Sequence, residues 1–206
     1  MAQRYTWSML KPQDILVLLK LSIEPERPTY LRLAQQLHLN PSEVHASVKR
    51  ARTSHLLPGP LEQERVNRSG LLELLLHGLR YVFPAEKGAL TRGVPTAYAA
   101  SPLKEQIAPD GEPVPVWPYA EGTVRGYSFS PLHKNAPLAA LEDQRFYELL
   151  ALVDALREGR ARERELAGRE LKLRLEASDH AAQTRSLLFA NRKRAYPTAM
   201  SVWSND

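Results

Sequence analysis

Apolar residues recur at helical spacing through the first quarter of the chain. Ile15, Leu16, Leu18, Leu19 and Leu21 follow Pro12, which suits a first helical turn, and Asp14 stands where the helix dipole favours an acid. The pattern predicts a buried helix opening at Pro12. Glu24-Pro25-Glu26-Arg27-Pro28 then reads as a rigid turn, with Thr29 as the cap of the next helix. Leu33, Leu37 and Leu39 carry that helix to its end near His38. Asn40-Pro41-Ser42-Glu43 starts another, with Asn40 as cap, Pro41 at the first helical position and Glu43 placed to reach back to the cap's N–H. Val44, Val48 and Ala51 face inward at i, i+4 and i+7, so this third helix runs to about Thr53. Ala34 supplies the small residue a tight helix–turn–helix needs where its helices cross.

That register leaves Ser42, His45, Ala46, Lys49 and Arg50 on the outer side, with Arg52 near the helix end. Beyond it, Leu56 to Arg68 holds a Pro58-Gly59 turn between short apolar or extended pieces, as a small β-wing would. Arg65 and Arg68 are its cations, and Glu62 and Glu64 keep its tip from being strongly basic. The run Leu33-Ala34-Gln35-Gln36-Leu37-His38-Leu39-Asn40-Pro41-Ser42-Glu43-Val44, followed by Val48-Lys49-Arg50, resembles the helix–turn–helix of MarR-like winged-helix transcriptional regulators. The likeness covers about residues 12–68. It departs from the family pattern at His38, where a turn glycine is usual and a positive φ is expected, and at Ser47, where an apolar residue is usual. The resemblance implies a helix lying in the major groove of double-stranded DNA. Ser42, His45 and Ala46 would meet base edges, Lys49 and Arg50 bases or phosphates, and Arg52, Arg65 and Arg68 the backbone. Glu43 reads better as a cap than as a base reader.

Past residue 68 the family likeness stops. Ser69 reads as the cap of a helix from Gly70 to about Val82. Its run of leucines predicts burial on most sides, a role as hinge or subunit interface, and a core-edge position for His77. Residues 84–131 hold eight of the sixteen prolines and exclude helix. Val114–Trp117 and Thr123–Phe129 read as short edge strands, and Thr91–Thr96 as a loop with one cation and two hydroxyls, lacking phosphate-loop spacing. From Asn135 a wide apolar face predicts one helix through Arg157, broken at Gly159. Arg160 to about Leu175 then alternates Arg and Glu, with Glu165/Arg169 and Glu170/Arg174 at i, i+4 and a thin stripe of Leu166 and Leu173. That segment is the dimerisation candidate; the alternative is a surface helix closing a monomer. Residues 1–11 read as an arm with Tyr5, Trp7 and Leu10. Residues 177–206 read as a polar tail with a basic patch at Asn191–Arg194.

The expected fold is mainly α with a small β component. It comprises a winged helix-turn-helix over 1–68, a helical and irregular dimerisation or partner-binding region over 69–176, and the tail. A hydrophobic content of 43% is enough for a core, and a formal net charge of +5 is compatible with a polyanionic partner without establishing one. The absence of cysteine excludes disulfides, thiolate metal sites and cysteine nucleophiles. The histidines and aspartates show neither metal-ligand spacing nor a paired catalytic motif, so no enzyme, metal or cofactor is expected. No apolar run is long enough to span a membrane, and a cytoplasmic protein is expected. The functional expectation is a homodimeric repressor reading a palindromic operator. The alternative is an antitoxin-like interaction protein whose C-terminal region restrains a protein partner, with DNA binding for autoregulation. A ligand-sensing middle region is a third possibility.

Overall fold

Buried leucines on two helices far apart in sequence decide the architecture. The computed structural model describes residues 9–59, 64–108, 111 and 113–177. Tyr5, Trp7, Glu62 and the basic patch at 191–194 lie outside them. The fold is mainly α with one small sheet. Helix α1 (Pro12–Ile23) is buried on nearly every side, with Ile15 to Leu19 fully enclosed. It packs against α2 (Tyr30–Leu37), α3 (Pro41–Thr53) and the C-terminal helix α6 (Gln144–Glu158). One hydrophobic cluster therefore runs from Ile15 through Leu150 to Leu171, crossing the boundary drawn at residue 68.

The local signals of the α1–α3 unit act as expected. Thr29 Oγ1 accepts the Arg32 N–H at 3.2 Å, and Glu43 Oε2 accepts the Asn40 N–H at 2.8 Å. His38 closes α2 in the left-handed conformation, φ 52°, and Val44, Val48 and Ala51 are buried. Ser47 is also fully buried. It fits there because its hydroxyl accepts a hydrogen bond from Arg50.

Where a β-wing is expected, none of the described residues 54–59 and 64–67 is in a strand. The loop returns to its base through a backbone rung, Asn67 N–H to Leu56 O at 2.9 Å. Glu64 is instead committed to Arg27 and Arg52.

Helix α4 starts at Arg68 and is capped by Asn67, whose Oδ1 accepts the Gly70 N–H, rather than by Ser69. It runs as Arg68–Glu73, a π-helical turn Leu74–Gly78, and Leu79–Val82. Leu71, Leu75 and Leu79 are its buried residues. Residues four apart drift by ~40° per step on an ideal α-helix, and the widened turn offsets that drift. Burial is one-sided, contrary to expectation: Leu72, Leu74 and Leu76 are half-buried, His77 is exposed rather than at the core edge, and Tyr81 is 76% exposed.

The β component lies in the proline-rich middle. Strands β1 (Lys87–Pro95), β2 (Pro115–Pro118) and β3 (Val124–Phe129) each pair with the other two and close into a minimal barrel. β1 runs antiparallel to both, with Val94 opposite Trp117 and Thr91 opposite Gly126; β2 and β3 are parallel. The Thr91–Thr96 stretch, expected as a loop, mostly belongs to β1. Closure this tight needs glycine: a Cβ on Gly126 would stand 1.9 Å from the Val114 carbonyl oxygen. The barrel is tied to α6 by buried Asp154. Its carboxylate accepts from Thr96 Oγ1 (2.8 Å), Trp117 Nε1 (2.6 Å) and Arg157 Nη1 (2.8 Å), and Arg157 also donates to the carbonyls of Phe83, Pro84 and Ser130.

The expected single C-terminal helix is two. Helix α5 (Ala136–Glu142) ends at Asp143, whose extended backbone and side chain cap α6 through the Arg145 and Phe146 N–H groups. Helix α7, over 161–177, forms the expected Glu165–Arg169 and Glu170–Arg174 pairs. Its buried stripe is Glu163, Ala167, Leu171 and Leu175; Leu173 points outward at 60% exposure. No helix of the described residues is long and apolar enough to cross a membrane.

Candidate nucleic-acid interface

Helix α3 separates its cations into two classes. Arg50 turns inward and grips Asp14 with both ends of its guanidinium, Nε to Oδ2 at 2.7 Å and Nη2 to Oδ1 at 2.6 Å. Asp14 is fully buried and also accepts the Lys11 N–H, so α1 and α3 are joined through one carboxylate. The hydrogen bonds that Arg50 donates to Asp14 raise the Arg50 pKa, against the opposing effect of burial. The expected outer-side position of Arg50 is thus corrected: its side chain is 11% exposed and is turned onto Asp14 and Ser47.

Arg52 makes the same commitment at the other end of the helix. It binds Glu64 through Nε and Nη2, while Arg27 binds Glu64 from the opposite side. Burial alone would raise the Glu64 pKa, but Arg52 and Arg27 outweigh it and hold the carboxyl below its ordinary value. Two arginines on one buried acid leave a net positive charge beside the last turn of α3. Arg68 donates to the Ser22 carbonyl at 2.9 Å, fastening α4 to the end of α1. Arg65 is exposed on the loop.

Ser42, His45 and Lys49 remain exposed along the outer face of α3, with Ala46 half-exposed between them. His45 is oriented by Tyr30 at the start of α2, the two rings meeting edge-on at 5.7 Å, and the Arg27 guanidinium lies 6.0 Å from the Tyr30 ring centre. The structure therefore brings together Ser42, His45, Ala46 and Lys49. It holds Arg50 and Arg52 beneath and beside them as supports, and leaves Arg65 and Arg68 on separate elements. Asp14 and Glu64 set this division, beyond the dipole and loop roles that their sequence positions suggest. An acid inside an otherwise apolar helix was the signal that a buried cation had to meet it.

No protein-family model, curated protein or solved structure matches this chain. The arrangement must therefore be read from its own chemistry. It is a rigid helix face, 13 residues long, presenting a hydroxyl, an imidazole and an ammonium, with its own acidic residue Glu43 tied up in the cap.

Proposed function

We propose that the chain is a sequence-specific DNA-binding regulator that inserts α3 into the major groove. The observation that supports this is the exposure of Ser42, His45 and Lys49 on one face of a helix anchored from behind by the Arg50–Asp14 pair. A helix in the groove reads bases with side chains near its N-terminus and holds phosphates with later cations. In this reading Ser42, His45 and Ala46 face base edges, and Lys49 and Arg65 face phosphates. Arg50 and Arg52 fix the helix instead of touching DNA. The regulator acts in the cytoplasm as a homodimeric repressor on a palindromic operator. Selection from a random duplex pool at near-physiological salt, followed by sequencing, tests it. An enriched palindrome is the expected result; salt-sensitive binding without enrichment would sink the reading.

A second reading, a C-terminal region that restrains a protein partner in the manner of an antitoxin, is favoured by the apolar side chains left exposed on α4, β1 and α7: Tyr81, Val82, Leu90 and Leu173. Co-purification of one stoichiometric partner, lost on Tyr81→Glu, tests it.

A further inference from the structure

The loop between β3 and α5 lies against the turn that launches α3. Asn135 Nδ2 donates to the His38 carbonyl. The His38 imidazole in turn meets Glu142 of α5, with Nε2 3.0 Å from Oε1, and α5 packs against α2. His133 is half-buried and feels both the Glu43 carboxylate and the Lys134 ammonium. A segment from the C-terminal half of the chain is thereby fixed at the N-terminal end of α3. Lys134 of this segment is exposed and has no carboxylate partner among the described residues.

From this placement we infer that Lys134 is a DNA-backbone contact, so that the nucleic-acid surface is composite and not confined to residues 12–68. The inference rests on the DNA-binding reading of α3. Lys134 adjoins Asn135, which is bonded to the turn just before α3, and Lys49 lies six residues beyond Glu43 along the helix, a rise of ~9 Å. The major groove is about 12 Å wide between its phosphate ridges. A helix in that groove with a cation at each end meets backbone phosphates near both of its ends and keeps Ser42, His45 and Ala46 between them for the bases. The acids bordering the turn before α3 are already engaged, Glu43 by the Asn40 N–H and Glu142 by His38. Asn135 and His133 hold the loop that carries Lys134, so the cation is positioned before DNA arrives and less ordering is needed on binding.

The test is equilibrium binding of full-length protein to the duplex enriched in the selection, followed by fluorescence anisotropy from 0.05 to 0.3 M salt. Lys134→Gln is expected to weaken binding roughly fivefold to tenfold at 0.1 M salt and to lower the log–log salt slope by about 1, equally for enriched and scrambled duplexes. Lys134→Arg restores both. The side chain is exposed, so the melting temperature stays unchanged and a folding defect is distinguished from a lost contact. Wild-type affinity and slope in Lys134→Gln, while Lys49→Ala still weakens binding, would overturn the composite surface and leave the reading of α3 standing. A wild-type protein that enriches no sequence would overturn both.

Discussion

Arg50 and Asp14 form a bidentate ion pair between α3 and α1, with donor–acceptor distances of 2.7 and 2.6 Å, in which the carboxylate is fully buried. The pair makes the outer helix α3 continuous with the most buried helix of the protein. It also takes Arg50 off the surface that its sequence position suggests.

Removing one partner leaves the other charge buried without compensation. Arg50→Ala and Asp14→Ala are each expected to lower stability by about 3–5 kcal/mol. The double variant should be much less than additive. Urea unfolding of the four proteins checks this; additive losses would show that the pair is not a unit. Any loss of DNA binding in Arg50→Ala should then track unfolding and disappear at temperatures where the variant is folded.

Lys49 and His45 should separate affinity from sequence preference. Lys49→Ala weakens binding to every duplex and lowers the salt slope by about 1, the signature of a phosphate contact. His45→Ala reduces discrimination at one base pair by about 1–3 kcal/mol, because imidazole readout is lost while the backbone contacts remain. Competition binding with single-base operator variants distinguishes the two, and a uniform loss in His45→Ala would move that residue to the backbone class.

Acid should weaken the fold partly through Glu64 and Asp143. Burial raises both carboxyls, but Arg52 and Arg27 at Glu64, and Lys20 with the Phe146 N–H at Asp143, bring each below its ordinary value. The folded protein then binds fewer protons than the unfolded chain in this range. Their contribution is complete above about pH 4.5 and is lost as pH falls through the lowered pKa values. Asp154 runs the other way, since burial pushes its carboxyl up against the pull of Arg157. The difference between wild type and Glu64→Gln isolates one group: the stability gap is expected to be constant from pH 7 to 5 and to shrink towards pH 3. A gap independent of pH would remove Glu64 from the acid transition.

The barrel should be intolerant of a single methyl group. Gly126→Ala places a Cβ against the Val114 carbonyl in the closing register and is expected to cost ~3 kcal/mol, at the upper end of overpacking. Asp154→Ala, which strips Arg157, Thr96 and Trp117 of their common acceptor, should cost as much or more. Thermal melts with near-ultraviolet dichroism of Trp117 report both; an unaltered Trp117 signal in Asp154→Ala would refute the tie between barrel and α6.

Local chemistry was legible wherever a residue's partner lay within a turn or two. Pro12, Thr29, Asn40-Pro41 and Glu43 mark the starts of α1, α2 and α3, and the inward register of Val44, Val48 and Ala51 follows from helical spacing alone. Val114–Trp117 and Thr123–Phe129 could be read as short edge strands within a proline- and glycine-punctuated stretch, and the Glu165–Arg169 and Glu170–Arg174 pairs from their spacing. β1 was hidden because five of its nine residues are Gly, Pro, Lys and Arg, and its close approaches rest on Gly93 against the Trp117 carbonyl and Gly122 against Gly93.

Sequence by itself therefore determined the starts of α1, α2 and α3, the α2–turn–α3 hairpin and the inward register of α3. Tertiary structure alone decided which residues of α3 are free to meet a partner. Arg50 and Lys49 are neighbours with the same charge; one is buried against Asp14, 36 positions away, and the other faces solvent. Asp143 ended a helix that its apolar pattern would have continued, because Lys20 of α1 and two backbone N–H groups meet its carboxylate there. Periodicity records which side of a helix is apolar. A buried charge records the position of its counter-charge, and that position is set only when distant segments pack.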